Sequence, residues 1–144
     1  MKKTKRIIAM LLVAVLSMAF LASCGGSESY ETVVGNIVKA INEKNPKYID
    51  KYVYKDLGDD WNEECVYEAV YKFDEDELPI KNKIVETEIY DEREDLADYE
   101  EEILEEVDCR VTLDQVVEVE LETYSGIYIG LMKIEGKWYI YAIE

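Results

Sequence analysis

The sequence predicts an α+β fold in which N-terminal helices pack against a curved, mostly antiparallel four-stranded sheet. Three observations predict it. After residue 29, apolar residues first recur at the spacing of a buried helix stripe. From Arg110 onward they alternate with polar residues at the period of a strand. Two turn signals, Ser125-Gly126 and Glu135-Gly136, then divide the alternating stretch into consecutive pieces, as a meander requires.

The first helix is expected from about Tyr30 to Asn42, capped by Ser29, with Val33, Val34, Ile37, Val38 and Ile41 as its apolar stripe. Asn45-Pro46 opens a second helix, because proline is suited to the first helical position. Its apolar face is Tyr48, Ile49, Tyr52 and Val53, and Gly58 ends it. A third helix is expected from Asp60 to about Lys72, with Asp60 and Glu63 as a capping box. There Trp61, Cys65, Ala69 and Phe73 share a face, with Val66 and Val70 beside it. A charged loop, Asp74 to Glu77, is closed by Pro79.

Lys83 to Tyr90 reads as a strand with Val85, Thr87 and Ile89 on one side. Glu94 to Val107 returns to helical spacing through Leu96, Tyr99, Ile103, Leu104 and Val107. In the final stretch Val111, Leu113, Val117, Val119 and Leu121 alternate with polar residues. Ile127, Ile129 and Leu131 follow, and Trp138, Ile140 and Ala142 alternate with Tyr139, Tyr141 and Ile143.

The first 23 residues differ in kind from the rest. Lys2, Lys3, Lys5 and Arg6 precede an apolar run from Ile7 to Phe20, broken only by Ser17. That run is short for a membrane span, which takes ~20 residues, and it reads as a signal peptide. Leu21-Ala22-Ser23-Cys24 resembles the lipobox of bacterial lipoproteins. The resemblance implies cleavage before Cys24 and a diacylglycerol on its thiol. Two acyl chains hold stably where one holds only marginally. Residues 24–29 then form a lipidated cysteine and short linker, and 30–144 one α+β domain. The linker's five residues, 25–29, reach at most ~18 Å. The expected location is extracytoplasmic, at the outer face of the cytoplasmic membrane of a Gram-positive envelope.

The order of elements, with the closing Ile134-Glu135-Gly136-Lys137-Trp138-Tyr139-Ile140, resembles the nuclear transport factor 2-like superfamily, a cystatin-like α+β roll. That resemblance implies a sheet wrapped around a long N-terminal helix, with a conical pocket. The superfamily holds isomerases and dehydratases beside non-enzymatic lipoproteins, so fold alone fixes no function.

The whole chain of 144 residues carries 16 Lys and Arg, 33 Asp and Glu and no histidine, for a net charge of −17. Removing the four basic leader residues leaves 12 against 33, a net charge of −21. Nucleic-acid partners are thereby excluded, since phosphate binding needs basic residues. The same charge opposes adhesion of the domain itself to anionic lipid. Without histidine there is no Ser-His-Asp set and no His-Asp dehydratase pair. No metal-ligand spacing or phosphate loop is present, and no cofactor is expected. The acidic runs read as a solvated helix face. Cys65 and Cys109 remain after lipidation of Cys24. Export permits a disulfide between them, and two thiols in separate core positions are the other state, which is preferred.

Tyrosine is the unusual feature, at 12 residues, all beyond the leader. Tyr52, Tyr128, Trp138, Tyr139 and Tyr141 are candidate pocket or surface aromatics, able to stack on a ligand and hydrogen-bond it. Tyrosine is also a good strand former on a half-buried face, and that reading is preferred. The expected function is a lipid-anchored, non-catalytic binding or interaction module of the bacterial cell envelope. Its partners are the membrane, through Cys24, and an envelope protein, peptide or small molecule. The alternative is a small pocket enzyme, isomerase-like, using an Asp or Glu with a Tyr.

Overall fold

The computed structural model describes residues 28–105 and 107–144. The signal peptide, Cys24 and the linker up to Ser27 lie outside the described residues. Helices pack on a four-stranded sheet of order β1-β2-β3-β4, antiparallel throughout, which is an α+β architecture. Among the described residues no helix is long and apolar enough to cross a membrane.

Helix α1 (Tyr30–Glu43) follows the sequence closely. The Ser29 hydroxyl accepts the Thr32 N–H at 3.3 Å, satisfying one of the donors that a helix start leaves open. Lys44 adopts a left-handed φ of 47°, and its N–H closes back on the Ala40 and Ile41 carbonyls. Asn45 caps the next segment through Lys47 N–H at 3.1 Å, but Pro46–Tyr52 winds as a tight 3-10 helix.

Helix α2 (Asp59–Asn62) runs on into a π-helical turn (Glu63–Tyr67) and a 3-10 turn (Glu68–Tyr71). Gly58, at φ 92°, is its N-cap, so the expected Asp60–Glu63 capping box is not formed. The buried residues here are Asn62, Val66, Ala69 and Val70. The expected stripe of Trp61 and Cys65 is only half-buried, because the wide π turn rotates the segment.

The strands are β1 (Ile84–Tyr90), β2 (Gln115–Leu121), β3 (Ile127–Ile134) and β4 (Lys137–Ile143). Two bulges re-aim side chains that simple alternation misplaces. In β1 the register slips between Ile84 and Glu86, leaving Val85 exposed and placing Ile84 beside Ile89 against the core. In β4 Gly130 pairs with Ala142 while Leu131 pairs with Ile140, so Tyr141 is the extra residue. Consequently Ile143, not Ala142, joins Trp138 and Ile140 in the main core. The β3–β4 turn places Glu135 and Gly136 at φ 50° and 78°, the two positive values that a tight primed hairpin needs.

The sheet is covered on both faces. One face, with Val117, Val119, Ile129, Leu131 and Ile140, packs against α1. The side chains between are almost all fully buried. The other face, with Val116, Met132, Ile134 and Tyr141, receives α3 (Arg93–Tyr99) and the π turn after it (Glu100–Leu104) through Leu96, Ile103 and Leu104. Regular strand begins only at Gln115; Leu113 precedes it and belongs to this second cluster, not to the face of Val117.

Candidate functional site

On the second face, alternation along β2 brings Glu118 beside Val116, while Val117 and Val119 turn to the main core. The half-buried Glu118 carboxylate collects tyrosine hydroxyls from three elements. Its Oε1 accepts from Tyr128 of β3 at 2.5 Å, from Tyr99 of α3 at 2.7 Å and from Tyr141 of β4 at 3.0 Å. The Tyr128 and Tyr141 hydroxyls lie 3.1 Å from each other. Tyr90 reaches Glu118 Oε2 at 3.5 Å while donating to Glu88. Its ring tilts against Tyr99, centroids 5.0 Å apart.

The bulge at Tyr141 makes this convergence possible. Gly130, across from it, has no side chain, and the Tyr141 ring occupies the space where a Cβ would stand. Burial and then the hydrogen bond to Glu118 push Tyr99 and Tyr128 well above their ordinary range. Burial, the Tyr128 hydroxyl and the Glu118 charge do the same to Tyr141. Burial and Glu88 push Tyr90 up to about 12. All four hydroxyls therefore keep their protons to higher pH than an ordinary tyrosine.

This cluster floors an open cleft of about 440 Å³, within the range of small-ligand sites. Trp61 and Cys65 form one wall, from α2 and its π turn; Glu102 and Ile103, from the second π turn, form the other. Both π-helical turns thus border the same depression, and such turns recur at functional sites. The Trp61 indole N–H is buried with no acceptor among the described residues.

Carboxylates crowd this face. Register sets Glu88 directly opposite Glu118, and Glu86 directly opposite Glu120. Like charges in opposed positions destabilise a sheet. No Lys or Arg lines the cleft. Among the described residues no cluster of three or more His, Cys, Asp or Glu is placed to hold a metal ion.

The five aromatic residues singled out by sequence separate into three places. Tyr128 and Tyr141 enter the cleft. Tyr139 packs edge-on against Tyr54 at 4.9 Å. Tyr52 and Trp138 hold the start of the domain: the Trp138 indole donates to the Glu28 carbonyl at 3.0 Å, and the Tyr52 hydroxyl donates to the Glu28 carboxylate, which also pairs with Lys51. Cys65 and Cys109 are thiols, not a disulfide. Cys65 packs against the main core, and Cys109 lies in the second cluster.

Glu118, Tyr99, Tyr90, Trp61 and Glu102 were not singled out by sequence. The available signal was a glutamate between two buried valines of an inner strand, next to a strand bearing Tyr128 and Gly130.

Fold and site define an α+β protein with a sheet covered on both faces and a carboxylate–tyrosine cleft on one of them. No family model matches the chain, and no curated protein and no solved structure is significantly similar to it.

Proposed function

We propose that this chain is a lipid-anchored, non-catalytic binding module of the bacterial cell envelope, with the cleft above Glu118 as its ligand site. The anchor is diacylglycerol on Cys24, and the location is the outer face of the cytoplasmic membrane in a Gram-positive envelope. The domain is read as a member of the nuclear transport factor 2-like superfamily, supported by the helices that precede a consecutive antiparallel meander.

The observation that carries the binding reading is the saturation of Glu118 Oε1 by three tyrosine hydroxyls. A carboxylate oxygen offers about two lone-pair sites. With Oε1 so occupied, only Oε2 is left, with the Tyr90 hydroxyl 3.5 Å from it, and the carboxylate serves chiefly as an acceptor that orders the tyrosines and as a source of negative charge. The tyrosines are fixed as donors by the same contacts. What remains open to a ligand is a set of aromatic faces and a concentrated negative charge, which is equipment for recognition.

A second reading has its own observation. Paired Tyr128 and Tyr141 hydroxyls beside a carboxylate are the parts of an isomerase-like site. One experiment separates the two. The purified domain is mixed with a small-molecule extract of cell envelopes and followed by saturation-transfer NMR. Binding predicts that the same compounds give signals in every cycle, return chemically unchanged, and lose their signals in Trp61→Ala. Appearance of a new compound supports the enzyme. Palmitate labelling of whole cells tests the anchor: label is expected in the wild type and absent from Cys24→Ser, and label retained by that variant overturns it.

A further inference from the structure

Resting on that binding reading, we infer that the cleft selects a small alkylammonium ion, held among the rings of Trp61, Tyr99 and Tyr128 and beside the Glu118 carboxylate.

Four features of the cleft converge on a cation of this kind. The first is its charge. Glu102, Glu118 and Glu144 line it, and no basic side chain does. The low-dielectric walls focus that field outward and draw in a counter-ion. The second is its aromatic content. Four of the lining side chains are rings, from Trp61, Tyr99, Tyr128 and Tyr141. The electron-rich face of a tryptophan or tyrosine attracts a cation within about 6 Å of its centroid.

The third feature is the sheet beneath. Glu88 opposes Glu118 and Glu86 opposes Glu120 in direct register. Such opposition costs stability in the empty protein, and of these four glutamates Glu118 lines the cleft, so a cation bound beside it offsets its repulsion with Glu88. The domain has 12 basic residues beyond the leader, yet none is directed to this cleft. Salt bridges form elsewhere, at Lys51–Glu28, Lys83–Glu122 and Arg93–Glu100.

The fourth feature chooses among cations. Glu118 Oε1 is taken by three hydroxyls, which removes the pair of free oxygens that a guanidinium grips bidentately. A metal ion needs several oxygens at short distance, and no such group exists among the described residues. An ammonium on an alkyl stem needs one charged contact and ring faces, and the cleft offers those. A neutral sugar would stack on the rings but gain nothing from the charge of Glu102, Glu118 and Glu144.

Choline and its uncharged isostere 3,3-dimethylbutan-1-ol provide the test. The two indole N–H signals of Trp61 and Trp138 are followed by NMR, at constant ionic strength. Trp138 donates to Glu28 on the other face and serves as the internal reference. Choline is expected to move the Trp61 signal saturably, leave Trp138 in place, and bind about tenfold tighter than the isostere. Glu102→Gln, at an exposed position on the rim, and Glu118→Gln should each weaken choline several-fold without affecting the isostere; Glu102→Gln keeps the test valid should Glu118→Gln disturb the fold. Equal affinity for choline and the isostere overturns the charge selection while leaving the binding cleft standing. A Trp61 signal that neither compound moves overturns the alkylammonium inference, and the envelope-extract experiment decides the binding reading separately.

Discussion

The ring of Tyr141 lies across Gly130 on the neighbouring strand, filling the space that any side chain at 130 would need. A Cβ built there would stand 2.8 Å from Cε1 of that ring, with two further ring carbons closer still. The bulge supplies the extra residue, the glycine supplies the room, and together they turn the Tyr141 hydroxyl toward Glu118. Alanine ordinarily improves a strand over glycine. Here the sign reverses, and Gly130→Ala should destabilise by about 1–3 kcal/mol, the usual cost of overpacking. Urea titration measures it, and the second change in Gly130→Ala/Tyr141→Ala should recover part of the loss.

Alkaline pH should weaken the fold through the same cluster. Tyr99, Tyr128 and Tyr141 have folded-state values raised above the ordinary 10.0, and Tyr90 is raised to about 12. Above pH 10 the unfolded chain therefore loses these protons before the native state does, and stability falls as pH rises. The contribution is fully present below pH 10 and is lost progressively from there upward. Urea midpoints measured from pH 8 to 11 should drop across the upper part of that range. Tyr141→Phe should show a shallower drop, and be less stable at pH 8 by about 1 kcal/mol.

The opposed glutamates make a contrary prediction, a gain in stability. Glu86 and Glu120 face each other in register on the exposed margin of the second face. Glu86→Lys converts repulsion into attraction and should stabilise by about 0.5 kcal/mol. Thermal melts at low and high salt check it. The gain should shrink at 1 M salt, where exposed charges are screened within about 3 Å.

Glu28 fastens the beginning of the described chain to the domain. Its hydrogen bonds from Lys51 and then Tyr52 hold its carboxyl below the ordinary 4.5. A lowered folded value means that this stabilisation is present above pH 4.5 and disappears as pH falls through the lowered value. Glu28→Gln should lower stability at pH 7 by about 0.5 kcal/mol, as expected of an exposed pair. Variant and wild type should converge at pH 3. Trp138→Phe removes the indole bond to the Glu28 carbonyl and should cost about 1 kcal/mol at either pH.

Much of this architecture can be read from local chemistry, and its exceptions have identifiable causes. Ser29, Asn45 and Glu135-Gly136 act at short range, and each does in the structure what its type suggests. The misplacements at Val85 and Ala142 arise from bulges, which insert one residue and reverse the alternation beyond it. The half-exposure of Trp61 and Cys65 arises from a π turn, which a constant helical period does not anticipate. The cleft was less legible for a different reason. Tyr99, Glu118, Tyr128 and Tyr141 come from three strands and a helix, and strand register together with helix docking decides that three tyrosines share one oxygen of Glu118. Tyr128 and Tyr141 could be singled out by type; the carboxylate that organises them could not be told from the many other acidic residues.

The central claim is that one glutamate gathers three tyrosine hydroxyls at the floor of the ligand cleft. Proton NMR of those hydroxyls tests it most directly. In the wild type, downfield hydroxyl protons that exchange slowly with water are expected for Tyr99 and Tyr128, with cross-peaks to the side chain of Glu118. These signals should vanish in Glu118→Leu while the Trp138 indole signal stays in place. Fast-exchanging hydroxyls throughout the wild type, or slow ones that persist unchanged in Glu118→Leu, would contradict the account.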